Sequence, residues 1–483
     1  MKCQRSSGLV PRFSFLVPDA AMLAVGTELE LIPEKAVAGE SMLARHQGRV
    51  VLVRGAIPGE RVHARIERLS RDVAHAVATD IKEPHPDRRQ PPIDPLCGGN
   101  AFAHIAYQRQ LALKADIVAD AFVRLARLSV PQPLSVAASP ERGYRMRARF
   151  HVRGPQAGFY REGTHELCDP AASGQLLPEA VAVVQEIGRT LHRAGAESGD
   201  VVGIELAENI AGNERAVHVE LRDEQRASRL GAVGAIDGLT GLSWSLVSDP
   251  RTQVVAGNPY VFDGLDIRPL AVPSATAELE APRRLEVTEP PAPGFGESRR
   301  SSESEVGPIR LRRHVRAFFQ GNRYLLSELV GHVLSLVPEG PVVDLYAGVG
   351  LFAVALASTR DDEVVAVEGD LISAIDLTAN AAACVRPFAS HHLSVEAFLR
   401  QSSGLSAHTA VFDPPRTGLS RDVAAGVQHH HLRRLVYVSC DVATLARDVK
   451  IFTEAGYRLV HLEAFDLFPN TAHIETIAVL EKS

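Results

Sequence analysis

The sequence predicts an α/β protein in several parts: a doubly wound sheet at the carboxyl end, preceded by a small OB-type β-barrel and a central α+β region. Three observations predict it. From residue 310 onward, short apolar runs alternate with helical patterns. Between 22 and 83, period-2 runs such as "QGRVVLVRGAIPGERVHARIERL" are punctuated by Gly and Pro. The 483 residues exceed what one hydrophobic core usually supports.

In chain order, residues 1–21 read as a tail, in which "SSGLVPR" resembles a tag linker and after which Met22 offers an alternative start. Residues 22–83 read as the barrel and 84–270 as the central region. Over 271–309, Pro, Ser and Glu dominate and no apolar period survives, which predicts a disordered linker or surface insertion. Residues 310–483 read as the doubly wound domain.

Apolar residues make up 45% of the chain and charged residues 23%, the composition of an ordinary soluble protein. No apolar run reaches membrane-span length, and Pro18 and Asp19 interrupt the one near the N-terminus. The expectation is a cytoplasmic protein with no membrane contact. Five cysteines, widely spaced, predict no disulfide framework and fit a reducing compartment.

The net charge of −6 argues against a grip on nucleic acid spread over the whole surface, so local clusters matter. "ERGYRMRARFHVRGPQAGFYR", residues 141–161, holds six arginines and one glutamate. It reads as a strand with an arginine-rich face, either merely solvated or contacting phosphates. "RLRRHVR" at 310–316 has the same two readings.

In "VVDLYAGVGLF", Asp344 ends a strand and Gly348 and Gly350 form the turn into a helix. Glu368 ends the next strand, near the spacing of an acid that holds ribose hydroxyls. Phe352 and Ala353 follow where a dinucleotide site prefers a third glycine. A nucleoside cofactor without a pyrophosphate fits better, and S-adenosylmethionine is the obvious one. Asp413, in "FDPPRTG", ends another strand, and Arg416 stands where methylases of exocyclic amines carry a base-stacking aromatic. Cys440, in "LVYVSCDVATLARD", sits where a strand gives way to a helix, near a helix N-terminus that favours thiolate.

A thiolate that adds to carbon 6 of uracil makes carbon 5 nucleophilic, and a base must then remove the carbon-5 proton. Cys440, Asp413 and Glu475 offer those groups, although spacing does not show that they converge. At these residues the chain resembles the RNA 5-methyluridine methyltransferases: "DLYAGVGLF", "FDPPRTGL", "VSCDVATLARD" and "FDLFPNTAHIE" are similar to that family's successive motifs. "FFQGN" at 318–322 is similar to the segment before its cofactor domain, and "GRVVLVRGAIPGERV" to the TRAM domain many members carry.

The resemblance implies a Rossmann-like class I methyltransferase domain, with Cys440 as nucleophile and Glu475 as base. Gln320, Tyr346, Gly348, Gly350, Glu368 and Asp413 would contact S-adenosylmethionine, with Asp413 also close to the target base. Arg416 would hold the site or the RNA, and His473 would be structural or touch RNA. The target uridine would flip out of its stack to reach Cys440. The partner implied is RNA, 23S rRNA rather than tRNA, with the protein a monomer. A tRNA substrate, a non-catalytic RNA-binding or assembly protein, and a nicotinamide-dependent oxidoreductase are the alternatives.

Many members of the family it resembles that carry a TRAM domain hold a four-iron, four-sulfur cluster (4Fe–4S) on four cysteines. Here Cys97 and Cys168 match two of those positions, while Pro91 and Asn100 stand at the others. Two thiolates are too few, so no cluster and no metal ligand set is expected.

Overall fold

The structure is a computed structural model and describes residues 23–130, 133–196, 199–267, 309–402 and 404–482. The expected tail (1–21) and all but the last residue of the expected linker (271–309) lie outside the described residues. The chain divides into two compact units, residues 1–35 with 41–86, and residues 36–40 with 87–483.

The amino-terminal strands form a six-stranded sheet. In chain order they are Glu28–Leu31, Lys35–Val37, Ser41–His46, Arg49–Arg54, Arg61–Leu69 and Val73–Glu83, and in the sheet the order is first, fifth, sixth, fourth, third, second. Alternation is plain in Arg61–Leu69, where Val62, Ala64 and Ile66 turn inward. Gln47 and Gly48, both at positive φ (50° and 82°), make the two-residue turn that joins Ser41–His46 to Arg49–Arg54.

In the second unit, a seven-stranded sheet runs in the order Leu167–Cys168, Gln156–Tyr160, Arg147–Arg153, Val201–Glu208, Arg215–Leu221, Gly241–Leu246, Gln253–Gly257. The amphipathic helix Pro178–Arg193 lays Val183, Val184, Ile187 and Leu191 into the same core as Ile204, Val217 and Trp244.

In the arginine-rich strand two arginines are ion-paired. Arg147 and Arg149 meet Glu205 at 3.3 and 3.4 Å, and Arg149 meets Glu220 at 2.6 Å. In the second basic cluster, Arg313 is wholly buried against Asp263 at 2.6 Å, and Arg312 meets Asp376 at 2.9 Å. Neighbouring strands and a helix supply these carboxylates, which sequence spacing does not reveal.

The carboxyl-terminal segment builds an eight-stranded sheet in the order Ala389–His392, Val364–Glu368, Val342–Leu345, Thr409–Phe412, Arg434–Ser439, Glu475–Lys482, Tyr457–Phe465, Val136–Ala137. The first five strands are mutually parallel, and Glu475–Lys482 enters antiparallel to Arg434–Ser439. This is the doubly wound arrangement expected, closed at one side by an antiparallel hairpin. The helix Leu351–Thr359 follows the glycine turn and is buried almost end to end. The last strand of the sheet comes from the central segment, and Met146 and Leu265 share the core of the cofactor-type sheet. The central and carboxyl-terminal segments are thus packed as one unit.

Candidate functional site

The carboxyl ends of the parallel strands gather the expected residues, as strand ends of such sheets do. Asp344, next to last in its strand, is fully buried; Oδ2 accepts the Ala353 N–H at 3.0 Å, and Oδ1 has no hydrogen-bond partner among the described residues. Burial pushes its carboxyl well above the usual range. Tyr346, with φ of 64°, opens the turn. Gly350 is required there: its φ is 96°, and a Cβ would meet Leu377 Cδ1 at 2.9 Å. At Gly348 a Cβ would point into open space. Glu368 accepts the Gly348 N–H at 2.7 Å through one oxygen and the Asp370 N–H at 2.6 Å through the other, leaving lone pairs on both for further donors.

Across the turn, the Gln320 amide donates to Asp413 Oδ2 at 2.9 Å. Burial pushes Asp413 up to about 7; the Gln320 bond opposes this and Glu368 adds to it. The Pro-Pro segment after Asp413 is held by a buried carboxylate. Asp448 Oδ2 accepts both the Tyr437 hydroxyl and the Leu419 N–H at 2.8 Å, while Arg447 Nη2 donates to the Thr417 carbonyl at 3.0 Å. These bonds fix the loop from which Arg416 projects.

Cys440 and Glu475 are brought together by register. Val438 pairs with Ile477 and Ser439, the last residue of its strand, with Thr476; Cys440 and Glu475 follow at that end of the pair and interact electrostatically. Glu475 is fully buried, and neither carboxylate oxygen has a hydrogen-bond partner among the described residues. Burial, then Asp413, raises its carboxyl well above the usual range, while Arg416 draws it down. His473 is partly buried, and burial and the nearby Arg416 pull its imidazole down to about 4.

The helix N-terminus does not activate the thiol as expected. Burial, then Glu475 and Asp413, pushes Cys440 up to about 12, with Arg416 opposing them. Asp441 caps the following helix, its side chain accepting the Thr444 N–H at 2.9 Å, so an acid already occupies that helix end. The thiol rests protonated.

One set of residues escaped the sequence reading. The loop Asp466–Asn470, which leads to Glu475, is anchored on the central segment. Lys114 and Asp466 form an ion pair with both side chains wholly buried. Lys114 also donates to the Phe468 carbonyl at 3.0 Å, and the Tyr107 hydroxyl donates to Asp466 at 3.0 Å. Gln110 and Asn470 exchange hydrogen bonds of 3.0 and 2.9 Å, and the Asn322 amide donates to the Leu467 carbonyl at 3.2 Å. The sequence signal is a Lys and a Gln on the buried face of the helix Tyr107–Ala121, a placement that demands partners.

Cys97 and Cys168, expected only to pack near each other, are joined by a disulfide, with Cα atoms 5.6 Å apart. Sequence separation hid this. Cys97 bridges Arg161, and Cys168 pairs with Phe159, so both flank the end of one strand. Asn100 is buried and spends its amide on the Asp94 and Ser173 carbonyls, at 2.9 and 3.1 Å. An iron–sulfur cluster does not fit this donor set: two sulfurs, bonded to each other, beside an amide already engaged.

The strand order, glycine turn and strand-end acids define the class as a Rossmann-like, S-adenosylmethionine-dependent methyltransferase. Residues 308–483 match the tRNA (Uracil-5-)-methyltransferase family, and residues 24–79 match the TRAM domain. The carboxyl-terminal domain is thus of the RNA uracil-C5 methyltransferase type and the amino-terminal one a TRAM domain, and the protein is an S-adenosylmethionine-dependent RNA methyltransferase. It is 29% identical to the 23S rRNA (uracil(1939)-C(5))-methyltransferase of Pseudomonas entomophila, over 96% of this chain and 95% of the relative. An uncharacterized RNA methyltransferase of Thermosynechococcus vestitus is 27% identical, over 95% and 99%. The fold agrees with the crystal structure of the Pyrococcus abyssi tRNA (uracil-54, C5)-methyltransferase in complex with S-adenosyl-L-homocysteine, at a TM-score of 0.67 and 21% identity over 93% of this chain and 99% of the other. Among the described residues, no helix is long and apolar enough to cross a membrane.

Proposed function

We propose that this enzyme methylates carbon 5 of a uridine in 23S rRNA through a covalent bond between Cys440 and carbon 6, with Glu475 as the base. The observation that carries the proposal is the neighbouring pair of Cys440 and Glu475 at the sheet's carboxyl edge, beside Asp413 and Arg416. Cys440 gives its proton to solvent and adds as the thiolate to carbon 6; the ring electrons move to carbon 5, which takes the methyl group as the donor leaves as a neutral thioether, and Glu475 acts in its ionised form. Glu475 then removes the carbon-5 proton, the C–S bond breaks, and the thiol is regenerated.

S-adenosylmethionine, when bound, supplies an electrophilic methyl group on a cationic sulfonium. Glu368 would hold its ribose hydroxyls, and the turn of Tyr346, Gly348 and Gly350 would pass beneath it. Gln320 and Asp413 would meet its polar end. Arg416 favours the thiolate by charge and is free on its exposed side to meet RNA. His473, neutral across the physiological range, serves as packing beside Glu475.

Full-length similarity to a protein named for 23S rRNA favours that substrate over tRNA. The same reading places the protein in the cytoplasm and as a monomer. The test is nucleoside mass spectrometry on 23S rRNA and tRNA transcripts incubated with S-adenosylmethionine, beside Cys440→Ala. 5-Methyluridine in the rRNA alone, absent with the variant, is expected. Product in tRNA alone overturns the substrate, and product made by Cys440→Ala overturns the mechanism.

A further inference from the structure

His332 lies on the helix Leu326–Leu336, and His461 and Glu463 lie two residues apart on the strand Tyr457–Phe465. The Nε2 atoms of the two histidines are 3.2 Å apart, and both face the same carboxylate oxygen of Glu463, at 2.7 Å from His332 and 3.5 Å from His461. The side chains are 18%, 33% and 21% exposed, so the cluster is sheltered yet reachable from solvent. Neither histidine nor this glutamate takes part in the methyl-transfer site.

The triangle of ligand atoms has the dimensions of a metal site. Three ligands at the zinc–nitrogen distance of about 2.0–2.1 Å in a tetrahedron stand about 3.3 Å apart. The measured edges, 2.7, 3.2 and 3.5 Å, bracket that value. A circle through the three atoms has a radius of about 1.8 Å, so an ion about 1 Å off their plane lies at bonding distance from all three. Two imidazoles and one carboxylate suit zinc better than magnesium or calcium, which take oxygen ligands. The Phe465 ring, 5.7 Å from that of His332, forms an apolar neighbour.

We propose that His332, His461 and Glu463 bind one zinc ion, with the fourth position open to water. The ion clamps the helix to the strand whose last residue, Phe465, pairs with Glu475. It stiffens the start of the Asp466–Asn470 loop without touching the reacting atoms.

The test uses untagged, metal-stripped full-length protein, dialysed against zinc or cobalt(II) and assayed for bound metal. One tightly held equivalent is expected, with cobalt absorption of tetrahedral type lacking a thiolate band and a zinc-dependent rise in melting temperature. His332→Ala and the near-isosteric Glu463→Gln are both expected to lose the equivalent, and their metal-free melting curves report folding. Three adjacent histidines, His429–His431, offer a competing site, so a His429→Ala/His431→Ala variant is the control and is expected to keep the equivalent. Equal zinc retention by wild type and a folded Glu463→Gln overturns the proposal, as does loss of the equivalent in the control.

Discussion

Replacing Lys114 by methionine strips a fully buried carboxylate of its cation. Lys114 and Asp466 are both inaccessible, and among the described residues only the Tyr107 hydroxyl remains as a side-chain donor to Asp466 once the ammonium is gone. Breaking a buried pair from one side costs about 3–5 kcal/mol, because the remaining charge stays desolvated. For a cooperative unit of roughly 400 residues, with an unfolding entropy of about 2.1 cal/mol/K per residue, this lowers the melting temperature by about 4–6 °C. Lys114 also holds the Phe468 carbonyl, so the loop leading to Glu475 loosens and kcat falls more than the KM for S-adenosylmethionine rises. Replacing both partners, Lys114→Met with Asp466→Leu, removes the orphaned charge and restores most of the melting temperature. Calorimetry of the four proteins in the cycle, with initial rates, measures all of this. A shift under 1 °C for Lys114→Met, or a double variant no better than the single, refutes the reasoning.

Glu475→Gln leaves thiol addition and methylation possible but blocks loss of the carbon-5 proton, so a protein–RNA adduct accumulates on denaturing gels; a variant that turns over normally sinks the assignment. With Asp413 pushed up to about 7, kcat/KM is expected to rise with pH through neutrality, and a flat profile from pH 6 to 8 contradicts it. The stability sign runs the other way. The folded state keeps the Asp413 proton between about 4 and 7 while the unfolded chain gives it up, so the stabilisation present at low pH is lost as pH rises through 7. Asp413→Asn is therefore expected to gain in relative stability above pH 7 while losing activity, as denaturant midpoints across pH would show. Gly418→Ala would set a Cβ 2.5 Å from Arg447 Nη2 and Asp448 Oδ2 at a φ of 72°, costing about 1–3 kcal/mol and displacing Arg416; an unchanged denaturant midpoint contradicts this.

The strand, glycine turn and helix around Gly348 and Gly350 were legible in the sequence because their cause is local: an apolar run, a positive φ that only glycine adopts freely, and a helical period within twenty residues. The alternation of Arg61–Leu69 was legible for the same reason, and the order of the motifs ending in Asp413, Cys440 and Glu475 carried the family. Tertiary structure decided what those groups feel. It brought Glu475, fully buried, close to a half-buried Cys440, so the thiol that a helix end was expected to lower is instead raised. It also neutralised Arg147 and Arg149 with glutamates from other strands, bonded Cys97 to Cys168 across 71 residues, and brought His332 to His461 and Lys114 to Asp466. Charge, ionisation and ligation depend on distance and on exclusion of water, and both are properties of the packed chain rather than of any stretch of it.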